Sequence, residues 1–165
     1  MTDHRRIELP DPAATDALGA ALAAALPAGR LVVHLLGDLG AGKSSLARAL
    51  LRALGAQGAL RSPTYTLVER HRLREGEAAH LDLYRITDPE ELDYLALDEL
   101  ADAVRLWLVE WPQRGGERLP PADLRIVLSL AGDGREAGLS APSAAGRTWL
   151  DALSEPSTDA APGAH

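Results

Sequence analysis

A glycine-rich stretch that begins at Gly37 has residue types and a spacing suited to phosphate chemistry. The segment GDLGAGKSS matches G-x-x-x-x-G-K-[ST], with Gly37, Gly42, Lys43 and Ser44 at the fixed positions. The glycines let backbone N–H groups converge on phosphate oxygens, lysine can reach the terminal phosphates, and the hydroxyl can bind magnesium. Lys43 is also the only lysine among 17 basic residues, which indicates a position where the planar guanidinium group of arginine fits poorly. The stretch predicts a phosphate-binding loop.

The sequence on either side of this loop has the pattern of a nucleotide-binding unit. The run LVVHLLG, from Leu31, is continuously apolar, as expected for a strand buried on both faces of a parallel sheet. After the loop, leucines recur at helical spacing from Leu46 to Leu54, and Gly55 is expected to end that helix. The N-terminus of such a helix favours an anion. We therefore expect a nucleotide to bind through Gly37, Asp38, Leu39, Gly40, Ala41, Gly42, Lys43, Ser44 and Ser45.

Two carboxylates at the ends of strand-like runs are candidates for catalysis and magnesium binding at the phosphates. Glu110 ends the apolar run in RLWLVEWP, and alternation in AAHLDLYR places Asp82 on one face with His80 and Tyr84. Carboxyl ends of parallel strands face the crevice where ligands bind, and magnesium-facing carboxylates of P-loop enzymes lie there. We therefore expect Asp82 and Glu110 to act with Lys43 in catalysis and with Ser44 at a magnesium ion, rather than to form salt bridges at the sheet edge.

A phosphate-binding loop does not by itself define an activity, and several classes of protein remain open. The guanine-specifying N-K-x-D is absent because Lys43 is the sole lysine, which argues against a standard GTPase. A small-molecule kinase is less favoured, since the segment after the loop's helix predicts a β-hairpin rather than a helical lid. A nucleotide-gated interaction module stays possible. The segment SPTYT, Ser62 to Thr66, fits a switch loop that senses nucleotide and equally fits a proline-marked entry into a strand.

Composition and charge argue against direct binding to nucleic acid, cysteine chemistry and a membrane span. The net charge is −7 and the pI is about 5.2, whereas a protein that grips nucleic acid by itself usually has a basic face. The basic segment RHRLRE is flanked by glutamates and is interpreted as a solvated hairpin. The absence of cysteine excludes disulfides and thiolate chemistry, and no apolar run has the length of a membrane span or signal peptide. We expect a cytoplasmic protein.

The order of elements predicts a single α/β domain over residues 1–153, followed by a disordered tail over residues 154–165. We expect a mixed, mainly parallel central sheet flanked by helices and antiparallel hairpins. One hairpin turns around Gly76 and another around the segment GDG. Helices are expected after the cap Asp11, after the capping box of Asp88 and Glu91, and in the closing segment SAAGRTWLDAL.

Five motifs in order give this chain a family resemblance. GDLGAGKSS, RSPTYTLVE, HLDLYR, DPEELDYL and LVEWPQR, between about Leu31 and Pro121, resemble those of the bacterial TsaE (YjeE) family. The resemblance implies a P-loop ATPase that uses ATP and Mg²⁺ and is slow alone. It further implies action with a TsaD-like transferase and a TsaB-like scaffold protein. That complex makes threonylcarbamoyladenosine (t6A) at adenosine 37 of tRNAs that read codons beginning with A, and tRNA would be held mainly by the partners.

The resemblance also assigns residue roles. Lys43 matches the phosphate-binding lysine, Ser44 takes a magnesium-ligand position that is threonine in many relatives, Glu110 matches the magnesium-associated glutamate, and Asp82 would orient the attacking water. Further nucleotide contacts are expected from Thr64, Trp111, Arg135 and Thr15.

Three questions stay open at this point. Asp82 and Glu110 are both candidates to orient the water molecule that attacks the γ-phosphate. Core packing competes equally with a nucleotide or partner contact for Trp111. Arg61 and Arg85 are candidates for an arginine finger in cis; otherwise a partner completes the site.

Overall fold

Strands and helices alternate along the chain in the order expected for an α/β protein. The computed structural model describes residues 3–60, 63 and 66–154, and most of the predicted tail therefore lies outside the described residues. The strands are β1 (His4–Leu9), β2 (Leu31–Leu36), β3 (Val68–Arg72), β4 (Glu77–Asp82), β5 (Leu106–Glu110), β6 (Leu124–Ala131) and β7 (Gly134–Ser140). The helices are α1 (Pro12–Ala25), α2 (Lys43–Ala53), α3 (Leu97–Ala103) and α4 (Ala144–Ala152), with short 3-10 helices at Pro89–Leu95, Pro112–Arg114 and Gly116–Arg118. None of the helices in these ranges is long and apolar enough to cross a membrane.

One mixed sheet contains the seven strands of the described residues, in the order β1-β7-β6-β2-β5-β4-β3. The central strands β6, β2, β5 and β4 run parallel, whereas β1 with β7, β7 with β6, and β3 with β4 pair antiparallel. The mixed sheet and both predicted hairpins are confirmed. Because β2, β4 and β5 are parallel neighbours, their carboxyl ends meet at one edge of the sheet, from which the phosphate-binding loop leaves.

Helices α1, α2 and α4 cover one face of the sheet and support the loop from below. Leu18 of α1, Leu50 of α2 and Trp149 of α4 are at most 2% exposed in this apolar core. The first two helices approach closely at Gly19, where a Cβ atom would lie 2.6 Å from the Cβ of Ala49. Only glycine permits that spacing, and it holds α2, which carries the loop at its N-terminus, against the rest of the core.

A second apolar cluster lies on the opposite face, under the segment that follows β4. Asp88 caps this segment, its side chain accepting from the N–H of Glu90, while Glu91 accepts from the N–H of Asp88 at 3.0 Å. The predicted capping box is confirmed. The capped segment, Pro89–Leu95, is a 3-10 helix, and Ala96, with φ of +51°, separates it from α3.

Candidate functional site

The loop between β2 and α2 forms an open hollow at the N-terminus of α2. Gly37, Gly40 and Gly42 have φ angles of 141°, 81° and 105°, which residues with a Cβ rarely adopt. A Cβ on Gly37 would collide with the carbonyl oxygen of Leu128, whereas one on Gly40 or Gly42 would project into open space. The loop therefore curls tightly at its start and leaves room above its later residues. A hollow at the N-terminus of a helix suits an anion such as phosphate.

Lys43, the first residue of α2, folds its side chain back over the loop. The ammonium donates to the carbonyl oxygens of Gly37 at 2.5 Å and Asp38 at 3.0 Å. Burial lowers the pKa of Lys43, while the nearby carboxylates of Glu110 and Asp82 act in the opposite direction. A bound phosphate would offer this ammonium charged acceptors in place of two neutral carbonyls, and charge-assisted hydrogen bonds are the stronger kind.

Ser44 and Glu110 are brought into direct contact across the gap between α2 and β5. The Ser44 hydroxyl lies 2.9 Å from each oxygen of the Glu110 carboxylate, which is 3% exposed. A hydroxyl and a carboxylate are oxygen donors of the kind that magnesium takes. Both residues were predicted to lie at one magnesium site, and their geometry is compatible with that prediction.

Asp82 lies beside Glu110 at the same edge of the sheet. The two residues are paired in the parallel register of β4 with β5, and Asp82 is 7% exposed. Its Oδ1 accepts a hydrogen bond from the N–H of Tyr84 at 3.1 Å. Leu81 and Leu83 pack into the apolar cluster on the opposite face, so the predicted alternation is confirmed. Two buried carboxylates therefore border the hollow that the phosphate-binding loop forms.

The oxygen donors of the site suit Mg²⁺ that is bound together with a nucleotide. Across residues 3–60, 63 and 66–154, no three histidine, aspartate or glutamate side chains are grouped so that they could hold a metal alone. Magnesium in nucleotide sites usually takes one or two protein oxygens and completes its shell with phosphates and water. Ser44, with Glu110 and Asp82 beside it, fits that kind of site.

Aromatic side chains form one wall of the site. The Trp111 ring centroid lies 4.5 Å from Lys43 Nζ and 5.0 Å from the Tyr84 ring centroid. The Arg114 guanidinium lies 5.7 Å from the Trp111 centroid. Trp111 is partly buried and also packs against the second apolar cluster. Both interpretations of Trp111 are thus compatible with its position. A cavity of about 410 Å³ lies over the loop, and its lining includes Leu39, Lys43, Ser44, Asp82, Arg85, Glu110, Trp111 and Arg135.

A second cavity of about 410 Å³ lies on the α1 side of the same loop. Thr15 of α1 and Arg135 of β7 both line it, together with Gly42 and Ser45 of the loop. Arg135 also donates to the carbonyl oxygen of Gly40 at 3.1 Å. The structure therefore brings two distant predicted contacts, Thr15 and Arg135, to the loop. Further polar residues in the lining are Asp11, Asp16, Arg48, Arg52 and Asp133.

Some residues of interest were missed by sequence reasoning, and others cannot be placed. Thr64 and Arg61 lie outside the described residues. His80, whose Nε2 lies 2.6 Å from Glu110 Oε2, had no predicted role. Strand alternation pointed His80 to the face of Asp82, but only the strand order shows that Glu110 is its neighbour. Arg48 also went unnoticed, because its position on α2 shows no special pattern.

Comparisons with known proteins agree on one family. Residues 9–137 match the family model described as "Threonylcarbamoyl adenosine biosynthesis protein TsaE". The chain is 39% identical to a tRNA threonylcarbamoyladenosine biosynthesis protein TsaE of Haemophilus influenzae, over 75% of this chain and 78% of that protein. It is 42% identical to the protein of that name from Mycobacterium tuberculosis, over 78% and 80% of the two chains. The crystal structure of Bacillus subtilis YdiB superposes with a TM-score of 0.76 at 29% identity, covering 93% of this chain and 95% of that one.

Proposed function

The chain belongs to the TsaE family, and from this we propose that it is a magnesium-dependent ATPase of tRNA threonylcarbamoyladenosine biosynthesis. It acts with a TsaD-like transferase and a TsaB-like scaffold protein in t6A modification of adenosine 37, in tRNAs that read codons beginning with A. The observation that carries the proposal is the contact of Ser44, at the start of α2, with Glu110 at the end of β5. That contact joins a phosphate-binding loop to an acid in the arrangement that nucleotide hydrolysis needs.

The residues of the loop hold the phosphates. Its backbone N–H groups and the N-terminus of α2 attract the anion, and Lys43 exchanges the carbonyls of Gly37 and Asp38 for phosphate oxygens. Ser44 and Glu110 hold the magnesium ion. When bound, magnesium neutralises charge that develops on the β- and γ-phosphate oxygens. Asp82, buried beside Glu110, orients the water molecule and accepts its proton.

The base and ribose of ATP bind in the cavity on the α1 side of the loop. Thr15, Ser45 and Arg135 converge there beside Gly42. Hydrogen-bonding groups and a guanidinium plane are suited to a sugar and a flat base. This places the triphosphate along the loop and the γ-phosphate near Asp82 and Glu110, in the cavity that Trp111 borders.

Partners complete the active site. Phosphoryl transfer to water is fast when an arginine neutralises the transition state, and of the two arginines considered in cis, only Arg85 lies in the described part of the site. We propose that the isolated protein is a slow ATPase and that the TsaB–TsaD pair stimulates it. The net charge of −7 suits a protein that leaves tRNA to its partners in the cytoplasm.

The β-hairpin after α2 supports an ATPase over a small-molecule kinase. The described residues that follow α2 form β3 and β4, an antiparallel pair within the sheet, rather than a helical lid over the phosphates. A kinase usually closes such a lid to exclude water from its acceptor. ATP hydrolysis that depends on an added small-molecule acceptor would favour the kinase instead.

A reconstituted modification assay tests the proposal. Formation of t6A is followed over several turnovers in a mixture of purified TsaD, TsaB, threonylcarbamoyl-adenylate and unmodified tRNA. The mixture contains the wild-type protein, Lys43→Ala or Asp82→Asn. The proposal expects repeated t6A formation with the wild-type protein and neither variant supporting turnover. Full support by an Asp82→Asn protein that binds ATP would instead indicate a nucleotide-gated module in which hydrolysis is incidental.

A further inference from the structure

His80 is a buried histidine that the proposed chemistry does not use. It lies on β4, is 0% exposed, and its Nε2 is 2.6 Å from Oε2 of Glu110. A carboxylate can only accept hydrogen bonds, so the imidazole donates its Nε2–H to Glu110. The Nδ1 atom of the same ring is buried and finds no hydrogen-bond partner among the described residues. Within that part of the chain the ring makes one polar contact, which is to the acid of the candidate magnesium site.

The carboxylate of Glu110 is held from two sides. The Ser44 hydroxyl reaches both oxygens from α2, while His80 reaches only Oε2 from β4. If Ser44 turns its oxygen to a metal ion, its hydroxyl hydrogen can no longer serve both oxygens equally. The contact from His80 does not depend on Ser44, because it comes from a different element of the sheet. Oε2 then stays occupied and Oε1 is left to face the metal site.

We propose that His80 is a positioning residue that fixes the orientation of the Glu110 carboxylate toward magnesium. This inference rests on the proposed function, since it concerns the same site. It assigns different roles to the two oxygens: Oε2 is anchored by the imidazole, and Oε1 serves the metal. Outer partners that orient metal-binding groups usually change metal affinity by about 10–100-fold when they are removed.

A purely structural role would give a different result. If the hydrogen bond only joined β4 to β5, its loss would lower the free energy of unfolding. It would also weaken nucleotide binding by the same factor with and without magnesium. A positioning role affects the magnesium-dependent part of binding alone. The readout is therefore the ratio of two dissociation constants for a fluorescent ADP analogue, one measured in EDTA and the other in excess Mg²⁺.

The variants distinguish the effect of losing the hydrogen bond from the effect of changing the volume of the side chain. His80→Leu removes the donor, whereas His80→Gln can place its side-chain amide N–H near the position of Nε2. His71→Leu is the matched control, because His71 is a partly buried histidine on the neighbouring strand whose Nε2 has no partner in residues 3–60, 63 and 66–154. We expect His80→Leu to lose about tenfold in magnesium-dependent affinity. Its affinity in EDTA should stay within about twofold of wild type, and His80→Gln and His71→Leu should retain the magnesium effect.

The binding measurements distinguish failure of the His80 inference from failure of the proposed function. An unchanged magnesium effect in His80→Leu overturns the inference and leaves the proposed ATPase standing. Failure of the wild-type protein to bind the analogue at all overturns the proposed function and, with it, this inference. If His80→Leu does not fold, His80→Asn replaces it: both Asn and Gln bury an amide, but only Gln reaches Glu110. Equal magnesium effects in the Asn and Gln variants would then contradict the proposal.

Discussion

The ammonium group of Lys43 lies 4.5 Å from the centre of the Trp111 ring while it donates to two carbonyls of its own loop. The cation of the phosphate-binding loop is thus held by the ring of the residue that follows Glu110. A phosphate in the loop would compete for this ammonium group, which links the environment of Trp111 to nucleotide binding.

Trp111 should report nucleotide binding through its fluorescence. Lys43 is expected to move from the ring toward phosphate, which changes the electrostatic environment of the indole. The other two tryptophans, Trp107 and Trp149, are at most 3% exposed and lie in the two apolar clusters. Titration of ATP with Mg²⁺ should therefore change the emission of the wild-type protein, and Trp111→Phe should remove most of the change. A full signal in Trp111→Phe would show that the ring does not sense the ligand.

Ser44→Ala should weaken nucleotide binding only when magnesium is present. The variant removes the hydroxyl oxygen that is proposed to bind the magnesium ion and that contacts Glu110 in the structure. We expect a loss of roughly tenfold or more in magnesium-dependent affinity, measured by calorimetry. Ser44→Thr keeps the oxygen and should bind normally. Ser45→Ala, which removes the hydroxyl of the next, exposed residue, is the control: it lies beside the nucleotide, so any loss of affinity should be the same with and without magnesium. Equal losses of magnesium-dependent affinity in both alanine variants would contradict the assignment.

Gly37→Ala should destabilise the fold more than Gly40→Ala. Both glycines have positive φ, which costs about 1–2 kcal/mol for a residue with a Cβ. At Gly37 the added methyl group also meets the carbonyl oxygen of Leu128, whereas at Gly40 it enters open space. Urea unfolding should give a lower free energy of unfolding for Gly37→Ala than for Gly40→Ala. Equal values would show that the close contact with β6 relaxes without cost.

Stability should fall in mild acid partly because of His34. Burial lowers the pKa of His34 from the ordinary histidine value of 6.5, while the hydrogen bond between its Nε2 and the carbonyl oxygen of Pro120 acts to raise it. Above pH 6.5 the ring is neutral in both states. As the pH falls below 6.5, the unfolded chain takes up the proton first, so the free energy of unfolding decreases down to the lower folded pKa.

The matching measurement is urea unfolding at pH 7.5 and 5.5. His34→Gln should lose less stability between these two values than the wild-type protein, because its side chain does not titrate. His4→Gln changes an exposed histidine and should behave as wild type. An unchanged pH dependence in His34→Gln would contradict the role assigned to His34.

Local patterns predicted the elements of this fold, because each pattern acts within a few residues. The apolar run from Leu31, the cap at Asp11 and the capping box at Asp88 all describe structure that forms near those residues. The αL conformation of Ala96 was not predicted, since alanine has no preference for it.

The site was predicted less completely, because it depends on strand order. The loop motif marked Lys43 and Ser44, and the positions of Asp82 and Glu110 at strand ends marked the two acids. The contact of His80 with Glu110 requires that β4 and β5 be neighbours, although the chain between them is long enough for other arrangements. The approach of Arg135 to Gly40 likewise follows from how the antiparallel half of the sheet adjoins β2.

The proposed partner-stimulated ATPase activity is tested by measuring ATP hydrolysis by the purified protein, alone and with increasing amounts of the TsaB–TsaD pair. Lys43→Ala, which removes the ammonium group but keeps the loop backbone, is the blank. We expect slow, magnesium-dependent release of phosphate by the protein alone, a clear rise when the pair is added, and neither in the blank. Rapid hydrolysis by the homogeneous protein alone, or no rise on adding the pair to a protein that binds ATP, would contradict the proposal.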